Sequence, residues 1–288
     1  MASTARTPQA SLNGPKYISA ITDLDSYGFK AGRTLEVLER SAVIAVREHW
    51  WLPTRIEAEE WLDQGHGTPE AIDQSLADLG RINRWLGGMR GLASHLYPRI
   101  RNCRSGHVRI LDLGAGGCTI PQIVARWARH AAIPLQIYAL DRCHAHLRWA
   151  RQNVQSGSEI ALIQGDVLAL PFAEGSVDFV ISSLFLHHFT ATALIQVLPK
   201  WARLARQSLI MTDLVRHPVP YWFMKATSPI FARSAITRHD AAVSIQRAYR
   251  PHELQRIAEE AGLTQAHVYT CFPYRMILVI DHTEPGAT

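Results

Sequence analysis

After His107 the chain alternates short apolar runs with stretches of helical periodicity, and this alternation restricts the fold more than any other feature of the sequence. Val108 to Leu113, Leu135 to Leu140, Ile160 to Gln164, Val177 to Ser182 and Leu209 to Thr212 read as five strands, with helical patterns filling the gaps between them. Such a repeat argues for parallel strands covered by helices on both faces. A helix from Pro251 to Ala261, stopped by Gly262, precedes two further runs, Gln265 to Cys271 and Tyr274 to Ile280. Between those runs the Phe272-Pro273 pair leaves room only for a tight turn, so the last strand should be antiparallel. The expected fold is α/β: a doubly wound, seven-stranded, mostly parallel sheet with an antiparallel last strand and a helical N-terminal extension.

Residues 1–30 are rich in Ser, Thr, Pro, Gly and Asn and read as a loose tail. Residues 31–100 read as helical, with Leu35, Val37, Leu38 and Val43, then Leu76, Leu79, Ile82, Leu86 and Leu92 at helical spacing. Residues 101–282 form the sheet domain, interrupted by an insertion at 214–250. The hydrophobic fraction of 47% and charged fraction of 19% fit a globular body. The formal charge of +5 is spread along the chain without the basic stripe of a nucleic-acid binder, which argues against RNA or DNA as partner. The four cysteines form no CxxC pair, so reduced thiols in a cytoplasmic protein are expected. No set of His, Cys and acids has metal-ligand spacing, and no metal is expected. No apolar stretch approaches the ~20 residues that cross a bilayer, so membrane insertion is not expected. A homodimer stays open as an assembly.

The first strand runs into a glycine turn and a helix start, where backbone amides can approach a ligand closely. A dinucleotide turn counted from Gly114 would need glycine where Thr119 stands, and Asp112 ahead of the glycines would repel a pyrophosphate. The same carboxylate favours a ligand bearing an ammonium or sulfonium group, because opposite charges attract strongly in a poorly solvated site. Asp141 closes the second strand, where a carboxylate can accept both hydroxyls of a ribose. Gly165-Asp166-Val167 follows the third, with Asp166 placed to accept from an adenine amino group and the Val167 amide open to a ring nitrogen. Each acid alone could cap a helix. Three in register at successive strand ends imply a nucleoside.

These segments, Leu111-Asp-Leu-Gly-Ala-Gly-Gly117, Ala139-Leu-Asp141, Gln164-Gly-Asp-Val-Leu-Ala-Leu-Pro-Phe172 and Val177-Asp-Phe-Val-Ile-Ser-Ser-Leu-Phe-Leu-His-His-Phe189, resemble those of class I S-adenosylmethionine-dependent methyltransferases. The likeness is greatest to the ubiquinone- and menaquinone-type enzymes and related bacterial small-molecule methyltransferases, and covers roughly residues 80 to 280. It implies a Rossmann-like methyltransferase fold and S-adenosyl-L-methionine as cofactor. By matching position Asp112, Gly114 and Gly116 would grip the methionine end, Asp141 the ribose, and Asp166 and Val167 the adenine. Ala115, Arg142 and Ser183 complete the set, while Asn83 and Gly88, in a segment like the helix that closes over the cofactor in some relatives, would lie near the methionine moiety. Where the usual pattern has a third glycine this chain has Cys118, which narrows the turn.

The resemblance also implies transfer to a small-molecule acceptor, of which a phenolic, quinone-like or polyketide-type oxygen or carbon is the expected form. A base would help a phenol, and His187 or His188, after the fourth strand, and His239, beside Asp240, are the candidates. His144 and His146 read as surface residues. In the insertion, where relatives build a substrate lid, Tyr221, Trp222, Phe223, Met224 and Phe231 could line an apolar pocket, with His239, Asp240, Arg247 and Tyr249 as polar contacts. The rival readings are an RNA-modifying methyltransferase, disfavoured by Ser183-Leu-Phe where a base-accepting motif would stand, and a non-catalytic cofactor-binding scaffold.

Overall fold

The computed structural model describes residues 54–85, 87–155 and 159–282; the tail at 1–30 and the helical expectation for 31–53, like Leu86, lie outside the described residues. A sheet of seven strands, in the order β3-β2-β1-β4-β5-β7-β6, forms the centre. The strands are β1 (Val108–Leu113), β2 (Leu135–Asp141), β3 (Ile160–Gln164), β4 (Val177–Ser183), β5 (Ala205–Leu214), β6 (Ala266–Cys271) and β7 (Arg275–Asp281). β1 to β5 pair in parallel, whereas β7 runs antiparallel between β5 and β6. The doubly wound expectation and its antiparallel closing strand are both met. β5 is longer than its sequence signal, extending to Asp213 and Leu214 beyond the apolar run.

Period-two alternation divides the core into two layers. Leu111, Leu113, Val180, Leu209, Met211 and Leu278 pack on one face of the sheet with Leu194, Leu198 and Trp201 of α5 (Ala191–Leu204) and Leu254 and Ile257 of α8 (Pro251–Glu260). Ile110, Ile137, Phe179, Ile181, Ile210 and Ile277 face the other way, against α2 (Gly88–Asn102) and α3 (Thr119–His130). Central strands buried on both faces are the reason these segments read as continuous apolar runs. Trp201 is 1% exposed, and its indole N–H donates to the Val167 carbonyl at 2.9 Å, which ties α5 to the loop after β3.

Above the carboxyl ends of the strands lies a roof made of distant parts of the chain. α1 (Pro69–Trp85) packs on α7 (Ala235–Arg247), with Leu62, Ile72, Leu76 and Ile236 as their shared apolar contact. Ser75 and Thr237 hydroxyls meet at 2.9 Å, and the buried Asp78 accepts the Ser234 amide at 2.9 Å as well as Gln74 and Arg81. α6 (Pro218–Phe231) adjoins α7, and α4 (His144–Asn153) adjoins α1. The helical expectation fails at residues 54–68, which are irregular up to α1 with a turn at 61–65. Two features oppose a helix there: Gly65 and Gly67 adopt positive φ, and Asp240 on α7 accepts the Trp61 and Leu62 amides, each at 3.0 Å.

Candidate active site

β1 and β2 set the first half of the site. The turn after β1 places Gly114 at φ 71° and Gly116 at φ 51°, conformations that suit glycine. A Cβ on Gly114 would stand 2.5 Å from the Phe185 ring, so the close approach of the ring also requires glycine. Cys118 takes φ 58° without being glycine and sits wholly buried at the start of α3. Asp141 accepts the Gly116 amide at 2.7 Å and the Cys143 amide at 2.8 Å, and His146 Nδ1 lies 3.3 Å away. Contrary to the surface expectation, His146 is 5% exposed. Burial opposes its charge, but the Asp141 and Cys143 partners outweigh this and raise its pKa to about 10. Asp141 is thus the brace of the turn as well as a lining group.

Asp112 is 2% exposed, and it lines the cavity beside Asp141. Burial, and then the neighbouring Asp141, hold its pKa well above the usual carboxylate range. The Ser183 hydroxyl at the end of β4 is buried without a partner among the described residues. Asp166 is exposed beyond β3, where it accepts the Leu168 amide at 2.9 Å.

A single cavity of about 830 Å³ collects these groups: Asn83, Asp112, Gly114, Ala115, Gly116, Asp141, Arg142, Asp166, Val167 and Ser183 all line it. Gly88 does not. It opens α2, and a Cβ there would come within 2.9 Å of Asn83 Oδ1, so its role is to leave space for Asn83.

The second half of the cavity lies under α6 and α7. Leu214, Val219, Pro220, Phe223 and Met224 line it, with Phe185 and Phe189 behind them. Tyr221 and Trp222 do not, because they lie on the other side of α6, where Lys225 covers both rings and Trp222 is 57% exposed. The Phe231 side chain lies outside the described residues. Tyr249 is also a correction: it is 3% exposed, its hydroxyl donates to the Phe189 carbonyl at 2.7 Å and Arg55 stacks on its ring, so it braces the core. Arg247 lines the cavity but spends its guanidinium on the His187 and His188 carbonyls.

The expected bases separate. His239 stacks on Trp61 at 3.8 Å, pairs with Asp240 and lies outside the cavity, which removes it as a base. His187 lines the cavity, but its Nδ1 lies 2.7 Å from Asp213 and its Nε2 3.2 Å from Glu60. Burial opposes its charge, and the two carboxylates overcome that and raise its pKa to about 10, which disfavours it as the base that takes an acceptor's proton. His188 also lines the cavity, with Nδ1 2.8 Å from Asp63.

Sequence reasoning missed Glu60, Asp63, Asp213 and Arg275. Asp213 stands one residue before the end of β5, close to the place Asp141 takes at the end of β2, so its signal was an acid near a strand end. Glu60 and Asp63 sit in an irregular segment without a motif. Arg275 is 2% exposed at the start of β7 and lines the cavity, its Nη2 3.5 Å from Asn83 Oδ1 and its Nη1 without a partner among the described residues. No motif spacing marks a metal set, yet among the described residues Glu60, His187 and His188 bring ligand atoms within 4.8 Å of one another, which linear spacing hides because Glu60 is remote in sequence.

Residues 111–209 match the family model described as a methyltransferase domain. Over 78 residues the chain is 38% identical to a malonyl-[acyl-carrier protein] O-methyltransferase of Xylella fastidiosa (strain M23), an alignment covering 27% of this chain and 25% of that relative. The match thus spans about a quarter of the curated relative's length. Among solved structures, human N-acetylserotonin methyltransferase in complex with its methyl donor superposes with a TM-score of 0.57 at 15% identity, over 87% of this chain and 68% of that one. An S-adenosylmethionine-dependent methyltransferase of Methanococcus maripaludis, so described from its crystal structure, gives 0.52 at 13% identity, over 75% and 95%.

Proposed function

We propose that this chain, which matches a methyltransferase-domain model over residues 111–209 and shares the fold of S-adenosylmethionine-dependent methyltransferases, transfers a methyl group from that donor to an oxygen or carbon of a small, largely apolar acceptor. The observation that carries the reading is the continuity of one cavity from the glycine turn, Asp141 and Asp166 to the apolar wall of Phe223, Met224 and Leu214. Donor and acceptor would share it end to end, as in-line transfer requires.

The residues fit the donor. Asp112, buried beside Asp141, would gain a neighbouring cation, and the Ser183 hydroxyl, which has no partner among the described residues, would gain a hydrogen bond. Gly116 leaves open space at the turn for a ligand to approach the backbone, and Asp166 would face the nucleoside. When bound, the donor supplies a methyl group on a positively charged sulfur that departs as a neutral thioether, so no residue is asked to act as an acid. The chain's own work is positioning: Phe185 packs against the turn, while Phe223, Met224 and Val219 offer the acceptor an apolar surface.

A second reading has a specific observation in its favour. Arg275 is a buried guanidinium with an unpartnered nitrogen in the cavity, beside Asn83, and would pair with a carboxylate on the acceptor. The partly aligned Xylella relative is named for methylating a malonyl group, which carries such a carboxylate.

Calorimetry with S-adenosylmethionine and its demethylated product tests the donor assignment, and absence of heat with both would overturn it. Labelled donor incubated with phenols, quinone precursors, polyketides and malonyl thioesters then separates the two acceptor readings, since product only from the thioesters would select the carboxylate.

A further inference from the structure

Glu60, His187 and His188 stand together at one wall of the cavity, and each is held in place by a group outside the trio. Asp213 accepts the His187 amide at 2.8 Å and lies 2.7 Å from its Nδ1, which fixes the ring and leaves Nε2 directed at Glu60, 3.2 Å away. Asp63 sits 2.8 Å from His188 Nδ1, and the Ser244 hydroxyl donates to Glu60 Oε1 at 2.8 Å. Arg247 holds the carbonyls of both histidines, so the short turn Leu186–His188 that carries them is pinned from its backbone as well.

An imidazole oriented by a carboxylate through one nitrogen, with the other aimed at a shared point, is the arrangement of metal-ligating histidines. Ligand atoms around a tetrahedral zinc ion with bonds of ~2.0–2.1 Å lie roughly 3.3 Å apart, close to the spacing of His187 Nε2 and Glu60 Oε1. Glu60 and His187 are 8% and 2% exposed, so their charges are not solvated, and a cation between them would take the place of water.

We propose that Glu60, His187 and His188 bind one divalent first-row transition-metal ion of the zinc class, whose open position takes an oxygen of the methyl acceptor. Two imidazoles and one carboxylate, with no thiolate, suit zinc, iron(II) or manganese better than calcium or magnesium. Three protein ligands leave a coordination position free, as in catalytic rather than structural sites. The site opens onto the cavity that also holds Phe223 and Leu214. The acceptor-oxygen part of the inference rests on the methyl-transfer reading given above; the metal part does not.

The test uses the untagged full chain, stripped with a chelator, dialysed and titrated with cobalt(II) without methyl donor. Uptake of one equivalent with the visible absorption of a nitrogen- and oxygen-ligated ion, displaced by zinc, is expected. Glu60→Gln and His188→Gln should each weaken cobalt binding at least ~10-fold. The far-ultraviolet circular dichroism and the melting midpoint of both variants, measured in parallel, should stay close to those of the wild type, which shows that they fold. No cobalt uptake by the wild-type chain overturns the site, as do a thiolate-to-cobalt band or equal affinity in both folded variants. Should either variant fold poorly, the wild-type spectrum and stoichiometry decide alone. Wild-type cobalt uptake without donor binding would defeat the methyl-transfer reading and leave the metal site standing; the reverse result would do the opposite.

Discussion

Asp112 combines two properties that pull against each other, since a carboxyl group so deeply buried is costly to ionise and yet its charge is what a cationic ligand needs. Its folded-state pKa lies above the unfolded value of 3.8, so the folded chain binds more protons than the unfolded one between the two pKa values. Its stabilising contribution is therefore full below pH 3.8 and is lost as pH rises through the raised pKa. Asp112→Asn removes that loss, and the ligand-free variant should melt above the wild type at pH 8 while binding S-adenosylmethionine at least ~10-fold more weakly, as scanning calorimetry and titration calorimetry would measure. Wild-type donor affinity should rise with pH across the same interval, because binding expels the Asp112 proton. Gly114→Ala should cost about 1–3 kcal/mol in urea denaturation, for it forces a side chain into a φ of 71° and against Phe185. Asp112, Asp141 and Gly114 were legible in the sequence because a strand end and its turn are local. Tyr221 and Trp222 were grouped with Phe223 and Met224 because one helical step decides which ring meets the cavity, and only the packing of α6 sets that step.

Among the elements, β1 and β3 begin and end where their apolar runs do, as both are bounded by polar or glycine-containing segments that the chain cannot bury. β5 outran its signal because Asp213 sits inside a ladder with β7 and is compensated by His187, a partner that no window of sequence contains. Residues 54–68 defeat local reading for a similar reason, since α7 captures their amides through Asp240. The joint between α1 and α7 is testable as a unit. Asp78→Ala would leave the buried Ser234 amide without its acceptor and break the Arg81 pair, and should destabilise the chain by about 2–3 kcal/mol. Hydrogen exchange should accelerate in both helices together; acceleration confined to α1 would show that Asp78 does not join them.

At the scale of the molecule, buried ionic pairs at the sheet's upper rim make stability depend on pH. The His146 pKa is raised from 6.5 to about 10, so its stabilising contribution is full below pH 6.5 and is lost as pH climbs toward about 10. His146→Asn should flatten that share of the alkaline decline, a difference visible in melting temperatures taken between about pH 6 and 10. The α/β architecture was readable because a double-faced sheet imposes its period on every central strand. The roof was not, since it joins residues before β1 to residues after β5. That division has a consequence for how such a chain acquires its chemistry. The matched domain, residues 111–209, supplies the glycine turn and strand-end acids, whereas Leu62, Phe223, Met224 and Asp240 all fall outside it. On the proposed transfer, exchanging the two flanking segments would change which acceptor fits while the glycine turn and strand-end acids of residues 111–209 stayed as they are.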